Sequence, residues 1–517
     1  MKNKKTLEYS KYLLNKSIYI LEFIISIILS KQVLEIFINK YYYNFYPKLT
    51  MIFSVILSII IIGIIIYICR TNKNSIEKIF ISVAIPISIG YAIFVLPFNV
   101  PDEGTHILKA YDITQGNIFT KIDENGDSSC TVAKELDNYS YLRIQDYKTL
   151  FEELKKDTNY SEKIQKVSSA QGYSPILYIG TAIGIKLSEM FNLNIFLGIY
   201  FGRLLNIIIF LIFGYFSIKK IPFGKVILAV SLCMPMLLQQ AASCSADAIL
   251  NSTLIYYIVH LIYMTYKETD ITKKDKIILY VLTALIAMFK YIYIILAGIL
   301  FITIFNKKEK RKDNIKTIII LILIGSIFSI GWFIYSSKYH TIPEAFKDYY
   351  ESANINSGKQ LEYMKGNMLN FGITFIKEYL VYGADYIFQA VGSNLGWLNV
   401  NINMGIIVLY IIILMISAIS EENKYQFSKT AKIWIILLVL AISAILNVFM
   451  YITFTPVGLK RICGVQGRYY TPILFLIFLC IIKKDNNWKI KNINEKMMIM
   501  SFILNIATLI NIIIKYL

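Results

Sequence analysis

The residues best suited to chemistry lie in Pro101-Asp102-Glu103-Gly104-Thr105-His106, a few positions past an apolar run at residues 79–97. Two carboxylates and an imidazole stand there where hydrocarbon gives way to water. In a helix beginning at Asp102, His106 is four residues from Asp102 and three from Glu103, so all three side chains share one face. General-base work needs a carboxylate or imidazole within reach of the proton it takes, and an acid at this edge can activate an incoming hydroxyl. Helix capping is the plainer account: Asp102 follows a proline, Glu103 suits the positive end of a helix dipole and Gly116 suits a stop. Capping alone, however, does not require adjacent acids plus a histidine at the lip of an apolar span.

Four further positions carry charge where charge is costly. Asp247, in Ser243-Cys244-Ser245-Ala246-Asp247, heads a new apolar stretch and also suits a cap. Lys290 interrupts the apolar residues 277–305, where a cation can hold the phosphate of a lipid carrier or snorkel to the headgroups. Arg203, in Gly202-Arg203-Leu204-Leu205-Asn206, is an intramembrane guanidinium and must face the bundle interior or a wet cavity. Lys460, Arg461 and Arg468 form a basic cluster expected on the outer side, against the positive-inside preference, which points to anion binding, lipid headgroups included. His260, His340 and the Lys31–Glu35 pair have structural or surface roles. The six cysteines show no spacing for a zinc site or a redox motif.

The elements that must position these residues are membrane helices. Of 517 residues 56% are hydrophobic and 17% charged, and the mean hydropathy is +0.55. Apolar runs at 51–69, 79–97, 317–335 and 433–453 are each long enough to cross a hydrocarbon core of about 30 Å as helices, whose backbone groups are satisfied within the segment. The net charge of +19 gathers in short loops between the runs, so topology accounts for it and no nucleic-acid partner is implied. With an uncleaved, basic N-terminus on the cytoplasmic side, the pattern predicts an all-α polytopic protein of the cell membrane, residues 1–517 forming one membrane domain with about thirteen crossings. Two large extracytoplasmic loops are expected, at 99–173 and 336–403, the second holding a surface helix at 371–390. Residues 175–190 read as a re-entrant or surface helix rather than a crossing, 226–240 as one span, and 277–305 as two short helices turning at Lys290, a pattern that marks binding sites in membrane bundles.

Several motifs, in order along nearly the whole chain, resemble the bacterial membrane proteins catalogued as domain of unknown function 2142. They are Pro101-Asp102-Glu103 with His106, Ala110-Tyr111 through Gly116, Tyr173-Ser174-Pro175, Arg203-Leu204-Leu205-Asn206, Ser245-Ala246-Asp247, Lys290, Gly396-Trp397-Leu398 and Gln466-Gly467-Arg468-Tyr469. That family in turn looks like a branch of the GT-C superfamily of glycosyltransferases that use polyprenyl-phosphate sugars. The resemblance implies a GT-C-like bundle, with the first two helices an added N-terminal pair. It also implies an acidic catalytic base in the first outer loop, carried here by Asp102 with Glu103 beside it. Some such enzymes use a divalent metal, and Asp102, Glu103 and Asp247 are oxygen donors of the kind magnesium or manganese takes, without forming a defined cage.

Together these expectations describe an inverting transfer of sugar from a lipid-phosphate-linked donor to a glycan or other envelope acceptor. Asp102 takes the acceptor's proton, Arg203, Lys290 and Arg468 hold the departing phosphate, and His106 and Asp247 contact substrate. Two other readings stay open: a transporter or flippase of a lipid-linked saccharide, and a non-catalytic partner in polysaccharide assembly. Inverted internal repeats would favour the transporter, and none stands out.

Overall fold

The computed structural model describes residues 75–122, 128–139, 143–268, 271–306, 311–339, 344–484 and 490–517; the helices expected at 17–38 and 50–69 lie outside them. The described chain is overwhelmingly helical, and seven helical runs in it are long and apolar enough to cross a membrane: Ile76–Phe94, Ile195–Lys220, Asp247–Tyr266, Lys273–Thr303, Ile315–Lys338, Lys429–Phe454 and Ile493–Tyr516. These seven stand where the sequence predicts about thirteen crossings for the whole chain. A multi-pass protein of the bilayer follows, because surfaces such as Ile322, Ile327 and Phe333 stay exposed on one helix where only lipid suits them.

Helix α1 (Ile76–Phe94) leads through a tight turn to α2 (Glu103–Thr114), which ends as expected at Gly116, whose φ of 84° only glycine adopts freely. The first polar segment then folds as a small antiparallel sheet of β1 (Lys121–Ile122), β2 (Ser128–Ala133) and β3 (Lys163–Val167), with Cys130 opposite Lys166, and α3 (Tyr147–Leu154) inserted before β3.

Helices α4 (Ile179–Met190) and α5 (Ile195–Lys220) form a hairpin whose two strands of helix touch backbone to backbone. A Cβ on Gly184 would come within 2.1 Å of the Gly202 nitrogen, so the pair of glycines permits this approach. Both ends of α4 meet the first polar segment: Tyr178 bonds His106, and Asn194 Nδ2 donates to the Glu153 carbonyl at 2.9 Å. Residues 175–190 are therefore held at both ends by the first polar segment.

The run at 226–240 is not one continuous helix. It divides into α6 (Lys225–Leu232) and α7 (Pro235–Ala241), because Pro235 offers no amide to the preceding turn and holds Met234 extended. Helix α8 (Asp247–Tyr266) is the central element, buried along nearly its whole length. Helix α9 (Lys273–Lys290) starts with a Thr272–Asp275 capping box and stops at Lys290, whose extended backbone (φ −161°) begins the 3-10 stretch Tyr291–Leu300. The chain reverses there. Tyr293 donates to the Tyr469 carbonyl at 2.7 Å beside Lys290, whereas the Gly298 carbonyl accepts from Trp434, at the far end of the bundle. Short α10 (Phe301–Asn306) precedes α11 (Arg311–Lys338), which is peripheral, with most of its apolar side chains exposed.

The second polar segment holds α12 (Glu344–Ser352), α13 (Ser357–Gly366), α14 (Met368–Val391) and the hairpin β4 (Asn394–Leu395) with β5 (Val400–Asn401). Helices α15 (Met404–Ser420), α16 (Lys429–Phe454), α17 (Thr471–Leu479) and α18 (Ile493–Tyr516) complete the bundle. Helix α14 lies along α16, with Tyr379 bonded to Ser443 at 2.8 Å and the Phe371 ring tilted against Tyr451.

Candidate active site

The turn between α1 and α2 sends two adjacent carboxylates in opposite directions. Asp102 stands at the helix N-cap in the left-handed region (φ 64°, ψ 6°) and makes no capping bond, which removes the plainer account of that residue. Its backbone still serves the helix, accepting from Thr105 Oγ1 at 3.0 Å and from the His106 amide at 3.2 Å. Glu103 turns inward and accepts the Phe98 amide at 2.9 Å across the same turn.

Glu103 meets Arg203 in the interior, both side chains being 0% exposed. Arg203 donates Nε to Glu103 Oε1 at 3.0 Å and Nη2 to Oε2 at 2.7 Å. Its other hydrogens go to the carbonyls of Ala92 (2.9 Å), Leu96 (3.2 Å) and Val95 at the end of α1. All five guanidinium donors are thus committed. Glu103 Oε1 also accepts the Cys244 amide at 2.9 Å, so each carboxylate oxygen has two donors. The clasp ties α1, α2, α5 and the loop before α8 together. Arg203 does face the interior as its cost requires, but the expectation that it grips a leaving phosphate gives way, as does that of Glu103 as a catalytic or metal-binding group: neither has a free polar atom.

Above the clasp lies an open cluster. Asp102, with 54% of its side chain exposed, accepts from Arg468 Nη2 at 2.7 Å, while the Arg468 side chain is only 6% exposed. Arg468 Nη1 donates to the Pro101 carbonyl at 3.2 Å and lies 3.4 Å from Asp247 Oδ2. Among the described residues its buried Nε finds no partner, leaving a donor in reserve. Asp247 is steadied by Gln240 Nε2 at 3.3 Å, and Gln240 in turn by Asn251 at 2.7 Å. The Lys290 ammonium lies 4.2 Å from the centre of the Tyr469 ring and 5.8 Å from that of Tyr293, a cation held by π faces and free of ion pairs among the described residues. His106 Nδ1 bonds the Tyr178 hydroxyl at 2.8 Å, with Tyr173 edge-on to the imidazole.

Desolvation acts to raise the Asp102 carboxyl, but the charges of Arg468 and then His106 outweigh it and hold the group below its ordinary value. Burial pushes His106 down, against the pull of Asp102 and Asp247, which favours a neutral imidazole at neutral pH. The site therefore offers an ionised, reachable carboxylate beside two cations, walled by tyrosines.

A divalent metal does not suit these donors. Glu103 is saturated, and the Arg468 guanidinium occupies the space between Asp102 and Asp247 that a cation would need. Among the described residues no three His, Cys, Asp or Glu side chains gather in a ligand set.

Asp102, His106, Asp247, Lys290 and Arg468 are thus neighbours, while Glu103 and Arg203 lie beneath them. Of the basic cluster near the other end of the chain, Arg468 joins the site and Arg461 instead lies 4.4 Å over the ring of Tyr382. Sequence reasoning passed over Tyr178, Tyr293 and Gln240. The adjacent Gln239 and Gln240 in an apolar run were the available signal: Gln239 exchanges bonds with the Gly396 amide (2.7 Å) and carbonyl (3.2 Å), and Gln240 positions Asp247.

A family model described as "Predicted membrane protein (DUF2142)" matches residues 85–477, a stretch that contains every candidate residue above. No curated protein and no solved structure matches the chain.

Proposed function

The chain belongs to the DUF2142 family of predicted membrane proteins, and from that premise we propose that it is a GT-C-type glycosyltransferase. It resides in the cell membrane with its N-terminus cytoplasmic and moves a sugar from a polyprenyl-phosphate donor to an envelope acceptor at the extracytoplasmic face. The observation that carries this reading is the half-exposed Asp102 carboxylate, 2.7 Å from the buried Arg468, with the Lys290 cation in the same cluster.

Asp102 takes the proton of the acceptor hydroxyl as its oxygen bonds the donor's anomeric carbon. The bond from that carbon to the phosphate oxygen breaks, its electron pair leaves with the phosphate, and the anomeric centre inverts. Charge then grows on the phosphate, where Lys290 and the unused Nε of Arg468 can meet it. Asp247 keeps Arg468 aimed, and neutral His106 supports binding of the sugar hydroxyls. Glu103 and Arg203 act as positioning residues, by fixing the turn that presents Asp102.

The test is transfer by the purified full chain in nanodiscs, offered a panel of polyprenyl-phosphate sugars. Transfer from at least one donor is expected, and Asp102→Asn lowers it by about 10²- to 10⁴-fold, the usual range for a general base, with melting unchanged. Full activity in Asp102→Asn overturns the assignment of the base, and movement of donor lipid across the bilayer without turnover overturns the enzyme.

A further inference from the structure

A polar cavity of about 260 Å³ lies apart from the Asp102 cluster in its lining, which is Asn99, Arg143, Gln145, Asn399, Lys515 and Tyr516 along with Ile144. A single water needs only about 10–15 Å³ on this measure, so the space takes a small organic molecule. Its walls come from distant parts of the chain: the α1–α2 turn three residues before Asp102, the first polar segment, the β4–β5 hairpin and the end of α18.

Three features give the cavity a sign and a shape. It has two cations and no carboxylate among its lining residues, and neither Arg143 nor Lys515 makes an ion pair among the described residues. The Arg143 guanidinium carbon lies over the Trp397 ring, 4.2 Å from its centre, a cation–π contact that holds the fork at the cavity wall. The Tyr516 hydroxyl is buried, and among the described residues it has no hydrogen-bond partner, a state that costs free energy unless a ligand or water relieves it. Of the three carboxamides, Asn99 already donates Nδ2 to the Pro97 and Ile144 carbonyls, Asn399 Oδ1 accepts the Trp397 amide and Gln145 Nε2 reaches the Arg143 carbonyl, so Asn399 Nδ2 and Gln145 Oε1 are the ends suited to hydroxyl groups.

We propose that this cavity is a second binding site, for the oxyanion, phosphate or carboxylate, of a hydroxyl-rich group. Arg143 and Lys515 hold the anion, Tyr516 donates to it, and the Asn399 and Gln145 carboxamides hold the hydroxylated body. The source is either an acidic or phosphorylated saccharide or the headgroup of an anionic glycerolipid, which share this chemistry.

Calorimetry on the full chain in phosphatidylcholine nanodiscs tests it, with glucose 1-phosphate, glucuronate and neutral glucose as probes. At least one anionic probe is expected to bind about ten-fold or more tighter than glucose, and Arg143→Gln or Lys515→Gln to weaken it about ten-fold. Tyr516→Phe weakens it less, while Asp102→Asn leaves it unchanged. Nanodiscs containing phosphatidylglycerol separate the sources: competition with the probe identifies the headgroup, and its absence identifies the saccharide. Equal binding by wild type, Arg143→Gln and Lys515→Gln overturns the proposal. So does an equal loss in Asp102→Asn, which would assign the anion to the other site. Failure of sugar transfer leaves these binding results standing, because neither cation belongs to the Asp102 cluster.

Discussion

Two ion pairs begin at adjacent residues and live in different media. Glu103 and Arg203 form a sealed clasp, 0% exposed, with every polar hydrogen and oxygen matched. Asp102 and Arg468 form an open pair, half in solvent, with a third partner at 3.4 Å and one donor unused. A matched pair has nothing left for a ligand, whereas an incompletely matched one at a surface can exchange its contacts. Function is therefore assigned to Asp102 and scaffolding to Glu103, although the two residues look interchangeable in sequence. Separate losses on the two sides of this divide are what would hold the distinction up, and mixed losses would break it.

The largest effect is expected in the clasp. Arg203→Leu leaves a buried carboxylate without its cation, and Glu103→Gln leaves a buried guanidinium without its anion. Each is expected to cost about 3–5 kcal/mol, a large part of a typical total of about 5–15 kcal/mol, read as lost monodisperse protein and a lower melting temperature in detergent. The double change Glu103→Leu with Arg203→Leu should recover part of that stability, because no lone charge remains. Normal melting in either single variant would remove the clasp from the scaffold.

Next comes the open pair. Asp102→Asn is expected to lower transfer by about 10²- to 10⁴-fold while shifting stability by no more than about 1 kcal/mol, since a half-exposed ion pair contributes little. Arg468→Gln should do something different from either. With Arg468 present, Asp102 titrates below the ordinary carboxylate value of about 3.9, so transfer should persist down to that low value before the base is protonated. Removing the cation leaves desolvation less opposed, and the acid limb of the residual rate should move to higher pH. The same linkage acts on folding: because the folded value is depressed, Asp102 contributes stability that is complete above its unfolded value and lost as pH falls through the folded one. An acid limb that stays put in Arg468→Gln would separate Arg468 from the base.

Much of this site is legible in the sequence because membrane burial makes charge conspicuous. Arg203 demanded a partner, Lys290 broke an apolar run at the place where the chain reverses, and Asp247 and Arg468 stood out against hydrocarbon. The partition between Asp102 and Glu103 was not legible, because it depends on one left-handed residue whose φ no spacing rule reports. Nor were Tyr178, Tyr293 and Gln240, since tyrosine is common in this chain and a neutral amide carries no periodic signal. The break within 226–240 was not legible because hydropathy is blind to the backbone turn that Pro235 imposes. The fold class was legible from composition, but the number and arrangement of crossings depend on which apolar runs turn back, as the one at Lys290 does.

The smallest effect bears most directly on why Asp102 has the conformation it does. A left-handed φ of 64° is unfavourable for most L-residues and free for glycine. Were Asp102 there to cap α2, Asp102→Ala would cost about 1 kcal/mol through the lost cap and Asp102→Gly only a few tenths. No capping bond exists to lose, so Asp102→Gly should match or exceed wild type in stability, by up to about 1 kcal/mol, and Asp102→Ala should be lower than Asp102→Gly through backbone strain alone. Both should be equally inactive in transfer. Measured melting curves that rank glycine clearly below aspartate would mean that the side chain holds the turn, and the division between a scaffold at Glu103 and a reactive group at Asp102 would then have to be redrawn.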